Sequence, residues 1–98
     1  MEIVKTNEFL VWASSLRDRR ALAFVNARIL RLACGNAGDV KSVGGGVSEM
    51  RIHYGPGYRV YFTQRGEQLV VLLVGGTKKT QQSDIAAAKR LAEQIRSV

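Results

Sequence analysis

Residues 49–62 read Glu-Met-Arg-Ile-His-Tyr-Gly-Pro-Gly-Tyr-Arg-Val-Tyr-Phe and hold two guanidiniums and the sole histidine of the chain. Two alternating runs flank Gly55-Pro56-Gly57, the pattern of a strand, a tight turn and a returning strand. Side chains along a strand alternate between faces, so Met50, Ile52 and Tyr54 share one face, and Glu49, Arg51 and His53 the other. On the return, Tyr58, Val60 and Phe62 form one set, and Arg59, Tyr61 and Thr63 the opposite one. With the apolar sets turned to one core, Arg51, His53, Arg59 and Tyr61 meet on the far face. Taken singly, each is at home on the solvated side of an antiparallel sheet. Together they say more. Neighbouring arginines repel unless an anion, or Glu49, sits between them, so the cluster suits phosphate. Lys78 and Lys79 fall between a strand end and a helix start, where free amides also favour an anion, and can extend that surface.

The elements that must position these groups follow from periodicity. Glu2–Lys5 predicts a short strand, with Ile3 alone or Ile3 and Val4 together to bury. Thr6 or Asn7 can cap a helix whose Glu8 lies in the first turn, where the helix dipole favours an acid. Phe9, Trp12, Ala13 and Leu16 keep helical spacing, so Trp12 reads as core. Asp18 can cap a second helix with the buried stripe Leu22, Val25, Ile29 and Leu32, ended by Gly35-Asn36. Arg17, Arg19, Arg20, Arg28 and Arg31 fall outside that stripe and read mostly as a solvated face. Residues 35–47 carry Gly35, Gly38, Gly44, Gly45 and Gly46. With no Gly-Lys-Ser/Thr following, they form no nucleotide-binding loop and read as a flexible connector.

After the hairpin, Arg65-Gly66-Glu67 turns the chain into residues 68–74, apolar on both faces and so expected to be the most buried strand. Its free side needs a partner, and Glu2–Lys5 is the spare one. The prediction is a mixed sheet with both N-terminal helices on its apolar face, leaving the Arg51/His53/Arg59/Tyr61 face open and concave. Thr80 or Ser83 can cap a final helix that buries Ile85, Ala88, Leu91, Ala92 and Ile95.

Ninety-eight residues make a single domain, 1–98, since a second core has too little chain to bury it. One cysteine, Cys34, excludes an intrachain disulfide, fits a reducing cytoplasm and reads as helix-end packing. No signal segment or membrane-spanning run appears, and the expected location is cytoplasmic. Fifteen Lys and Arg against eight Asp and Glu give a net charge of +7, which favours nucleic acid or an acidic protein segment as partner and makes a membrane the weaker option.

The lines Arg51-Ile-His-Tyr-Gly-Pro-Gly-Tyr-Arg-Val-Tyr-Phe62, Val71-Leu-Leu-Val-Gly-Gly-Thr-Lys-Lys-Thr-Gln81 and Asp84-Ile-Ala-Ala-Ala88 resemble the RelE/ParE superfamily of toxins. Within it they are similar to the HigB-like, phage-derived Gp49-like branch of addiction-module killers. Gly35-Asn-Ala-Gly-Asp-Val-Lys41 and Gly44-Gly-Gly-Val-Ser-Glu49 share the likeness, which spans nearly the whole chain. The resemblance implies an α+β fold: a small, mostly antiparallel sheet with an N-terminal helical hairpin on one face and a C-terminal helix. It implies a toxin of a type II toxin–antitoxin system, an endoribonuclease acting on mRNA at the ribosome. Its implied partner is an antitoxin, commonly a helix-turn-helix DNA-binding protein.

It implies catalysis without a metal or other cofactor, and one histidine, one cysteine and no carboxylate cluster offer little for a two-metal site. By motif position Arg59 matches the phosphate-stabilising arginine, and Lys78 the cationic residue after the buried strand. Arg51 and His53 fall where relatives carry basic residues. The roles implied are Arg59 and Lys78 on phosphate charge and His53 as general acid or base. Arg51, Lys79 and Tyr61 are placed on substrate, with Tyr61 either stacking on a base or packing at the core edge. Some relatives use a tyrosine in the C-terminal segment; here Gln81, Gln82, Ser83 and Asp84 stand instead, so either His53 is the base or the labour is divided differently. Two other functions share the fold or the charge: a ParE-like inhibitor of DNA gyrase, and a non-catalytic binding module.

Overall fold

The computed structural model describes residues 1–96. In chain order the elements are β1 (Glu2–Lys5), α1 (Asn7–Ser15), α2 (Arg19–Ala33), β2 (Val40–Gly44), β3 (Val47–Ile52), β4 (Tyr58–Arg65), β5 (Leu69–Thr77), a 3-10 turn (Lys78–Thr80) and α3 (Gln81–Arg96). They form one five-stranded sheet of order β1-β5-β4-β3-β2. β1 runs parallel to β5, Ile3 opposite Val70, and the other neighbours are antiparallel. The expected pairing of the first strand with the apolar one is what the sheet contains. No helix among the described residues is long and apolar enough to cross a membrane.

Capping chemistry sets the helix starts. Thr6 Oγ1 accepts from the Phe9 amide at 3.0 Å and donates to the Leu73 carbonyl at 2.6 Å, so one hydroxyl starts α1 and ties it to β5. Asp18 accepts from the amides of Arg20 and Ala21 at the head of α2. Phe9, Ala21, Val25, Ile29 and Leu32 then pack on Met50, Ile52, Val60, Phe62, Val70 and Leu72, with Trp12, Ala13 and Leu16 against them. Leu22, assigned to the α2 stripe, is only half-buried and Ala21 takes the inner position.

Four expectations need correction. Residues 35–47 are not all connector, because Val40–Gly44 is the edge strand β2. Gly45 and Gly46, at φ +63° and +76°, make its two-residue turn into β3; both positive angles belong to the tight hairpin turn whose twist matches the strands. Arg28 is half-buried rather than a free surface group: its guanidinium donates to the carbonyls of Arg51 (2.6 Å) and Ala37 (2.9 Å), fastening the loop before β2 to the end of β3. Cys34 does not pack, as its side chain is exposed.

The largest correction concerns the face opposite α1 and α2, expected to stay open. α3 lies across it, setting Ala88 and Ala92 on Val47, Tyr61, Val71, Leu73 and Val74. A bulge in β5 makes this possible. Tyr61 pairs with Val74 and Phe62 with Leu72, leaving Leu73 as an extra residue. Past the bulge the alternation flips. Gly75 then lies under the Trp12 indole on the α1 side and Gly76 under Asp84 on the α3 side, where no larger residue fits without movement.

Candidate functional site

β3 and β5 run parallel to each other through the antiparallel β4 between them, so their C-terminal ends reach the same end of the sheet. The register lines up Arg51, Arg59 and Gly76 in one row and Ile52, Tyr58 and Thr77 in the next. His53 follows β3 and Lys78 follows β5 at this end, two strand spacings or roughly 10 Å apart.

Arg51 and Arg59 are cross-strand partners, and what separates their charges is Glu49. Glu49 is fully buried. Its Oε1 accepts from Arg51 Nε at 3.0 Å; its Oε2 accepts from Tyr61 Oη and Gln81 Nε2, each at 2.8 Å, and lies 3.5 Å from Arg59 Nε. Burial pushes the Glu49 carboxyl up, but the hydrogen bonds from Gln81, Arg51 and Tyr61 and the charge of Arg59 outweigh it, and the group sits below its ordinary value. Arg51 is in turn held above its usual range by the bond to Glu49. Burial first, and then the bond to Glu49, push the Tyr61 phenol well above its ordinary range.

The Gly57 carbonyl is a second meeting point. It accepts from Arg59 Nη1 and from the Lys78 amide, each at 2.9 Å. Arg59 and the lead-in to α3 are thereby fixed to one oxygen. Gly57 has φ +79°, and a Cβ there would press on Arg59 Nη1, so glycine leaves room for the guanidinium. Lys78 and Lys79 are exposed and line an open cavity with Thr80, Gln81, Gln82 and Ser83. Thr80 stands just before α3 and donates its hydroxyl to Asp84 at 2.5 Å.

His53 takes a different partner. Its side chain is 76% exposed, and Nε2 lies 2.6 Å from Asp39 Oδ2 in the loop before β2. That hydrogen bond holds the Asp39 carboxyl below its usual range, with Arg51 adding a smaller effect. The Arg51 amide donates to the Asp39 carbonyl at 3.0 Å, so the imidazole–carboxylate pair is anchored beside Arg51.

Of the residues expected on substrate, Arg51, Arg59 and Lys78 come together through Glu49 and Gly57, with Lys79 on the same turn. His53 shares the sheet end but is held by Asp39. Tyr61 is the clear correction: it is fully buried under α3 and its hydroxyl is spent on Glu49, so it cannot stack on a base. Arg59 is 9% exposed and faces Glu49 and Gly57 rather than open solvent. Asp39 and Gln81 were not foreseen as partners. Only the alternation that puts Glu49 in phase with Arg51 carried a signal in the sequence. Among the described residues no group of three or more His, Cys, Asp or Glu could hold a metal ion.

The sequence model of the family described as "Phage derived protein Gp49-like" matches residues 17–96, which take in α2, every strand from β2 on and the whole site. A protein of Haemophilus influenzae named only as uncharacterized is 50% identical over 95 residues, covering 97% of this chain and 96% of that relative. With the match running through every residue of the Glu49 and Gly57 clusters, the chain belongs to the phage-derived Gp49-like family.

Proposed function

We propose that this chain is the toxin of a type II toxin–antitoxin pair, of the RelE/ParE superfamily and its HigB-like branch, and that it cuts mRNA without a metal. The observation that carries the reading is an exposed imidazole held by a carboxylate, His53–Asp39, at the same end of the sheet as Arg51, Lys78 and Lys79. With Nε2 donating to Asp39, His53 keeps Nδ1 as a proton acceptor turned away from that bond. A ribose 2′-OH gives its proton to Nδ1 while its oxygen attacks the adjacent phosphorus. The P–O5′ bond breaks, leaving a 2′,3′-cyclic phosphate and a 5′-oxygen that takes a proton from solvent. The phosphoryl oxygens gain negative charge on the way, and Arg51 and Lys78 meet it, with Lys79 holding the flanking backbone. Arg59, turned inward, adds positive charge from beneath and keeps the Gly57–Lys78 junction in place.

A cognate antitoxin, on this reading a helix-turn-helix protein, covers this end of the sheet when growth continues, and the substrate is mRNA on the ribosome. The test is to induce the chain and map new 5′ ends on cellular mRNA by primer extension. Wild type should give discrete cuts, and His53→Ala none. In a purified translation reaction the wild-type cuts should also persist after the toxin has been treated with a chelator and the magnesium restored. Growth arrest with a DNA-damage response and no cuts would favour gyrase inhibition instead. Absence of both would leave only a binding module.

A further inference from the structure

The geometry points to Glu49 as the positioning residue of this site, a buried carboxylate that aims Arg51 and moors Gln81 without touching substrate. The inference rests on reading Arg51 and Lys78 as phosphate ligands. Three elements converge on it: Arg51 from β3's own far end and Gln81 from the first residue of α3 donate hydrogen bonds, as does Tyr61 from β4, and Arg59 of β4 adds its charge at 3.5 Å. Of the carboxylate's roughly four lone-pair directions, three accept hydrogen bonds, from Arg51, Tyr61 and Gln81, and Arg59 Nε faces Oε2 at 3.5 Å without a hydrogen-bond partner of its own. Glu49 is sealed from substrate by these groups. Its depressed pKa and full burial also make it a poor base.

Simple stabilisation does not account for the arrangement. Burying a glutamate against one arginine gains little over an apolar pair of similar volume. Here two arginines share one carboxylate, so the cluster keeps a net positive charge after internal pairing. Arg51 is engaged through Nε and its side chain remains 32% exposed, so part of the guanidinium stays accessible to an anion. Gln81 begins the helix that follows Lys78 and Lys79, so its bond to Glu49 sets where that turn sits against the arginines. One carboxylate thus fixes both arms of the anion site.

The test compares Glu49→Gln and Glu49→Asp with wild type, each first confirmed folded by its thermal transition. Binding is measured with RNA carrying a 2′-deoxy sugar at the cut site, and the chemical step by single-turnover cleavage on intact RNA. Glu49→Gln should bind within threefold of wild type but cut at least tenfold more slowly, and Glu49→Asp should recover part of the rate. Glu49→Gln cutting within twofold of wild type, or losing binding and rate in equal proportion, overturns the assignment.

A further arm does not depend on RNA cleavage. The Arg51 Nε–H proton, identified by its loss in Arg51→Lys, should exchange slowly in wild type and rapidly in Glu49→Gln. If that signal is unchanged, Glu49 does not position Arg51, whatever the chain does to RNA. If wild type cuts no RNA while the signal behaves as expected, the proposed reaction fails and the positioning role stands.

Discussion

Gly75 and Gly76 are neighbours in β5, yet alanine at the two positions should have very different consequences. A Cβ on Gly75 would fall inside the Trp12 indole. The ring is partly buried, with Phe9 at 5.8 Å and Tyr58 at 6.4 Å between centroids, so it can yield only by disturbing those contacts or turning outward as a whole. Forcing a methyl into a filled core costs about 1–3 kcal/mol, and the upper end applies where a rigid ring must yield. For a domain of this size about 3 kcal/mol lowers the thermal midpoint by roughly 12–24 °C.

At Gly76 the added carbon meets the Asp84 carboxylate and the Thr80 hydroxyl, both ends of side chains that can rotate. The loss there is about one hydrogen bond, 0.5–1.5 kcal/mol, and the reduced freedom of the unfolded chain returns about 0.4–1 kcal/mol. Thermal unfolding followed by circular dichroism should therefore rank Gly75→Ala far below Gly76→Ala. In a Trp12→Ala background the penalty at Gly75 should shrink, with a coupling of about 1–3 kcal/mol. A Gly75→Ala protein as stable as Gly76→Ala, or a penalty unchanged by removing Trp12, would refute the packing argument.

Other outcomes follow from the site. Glu49 is depressed below the ordinary glutamate value of 4.5, so its contribution to stability is complete above that value and is lost as pH falls through its lower native one. Urea midpoints taken from neutral pH downward should fall in that acid window for wild type and more shallowly for Glu49→Gln. Removing the base with His53→Ala should slow single-turnover cleavage by about 10²–10⁴-fold, and Asp39→Asn, which leaves the imidazole present but unheld, by less. Lys78→Ala should weaken binding of deoxy-substituted RNA across sequences and reduce the salt slope by about 0.7, read from titrations at several salt concentrations. Thr6→Ala should cost about 1–2 kcal/mol by thermal unfolding, because the hydroxyl both caps α1 and bonds to Leu73.

Local rules fixed most of the frame. The caps at Thr6 and Asp18, the hairpin around Gly55-Pro56-Gly57 and the pairing of Ile3 with an apolar strand were readable because each depends on residues close in sequence or on a single unsatisfied edge. β2 escaped because five residues rich in small and polar side chains carry almost no alternation, and only the two left-handed glycines that follow mark the hairpin. The site was half legible. Strand parity put Glu49, Arg51, Arg59 and Tyr61 on one face, but it said nothing of what lies over that face.

The amino-acid sequence by itself determined the helices and every strand but β2, the basic charge and the alignment of the two arginines, since these follow from period, propensity and composition. Only the tertiary structure decided which of those groups meet solvent. An extra residue in β5 and two alanines on α3 let the last helix lie close against the sheet, burying Tyr61 and Glu49 and turning Arg59 inward. The same packing left His53 and Lys78 at the rim. That outcome depends on contacts between residues far apart in the chain, where alternation carries no information about what will cover a face.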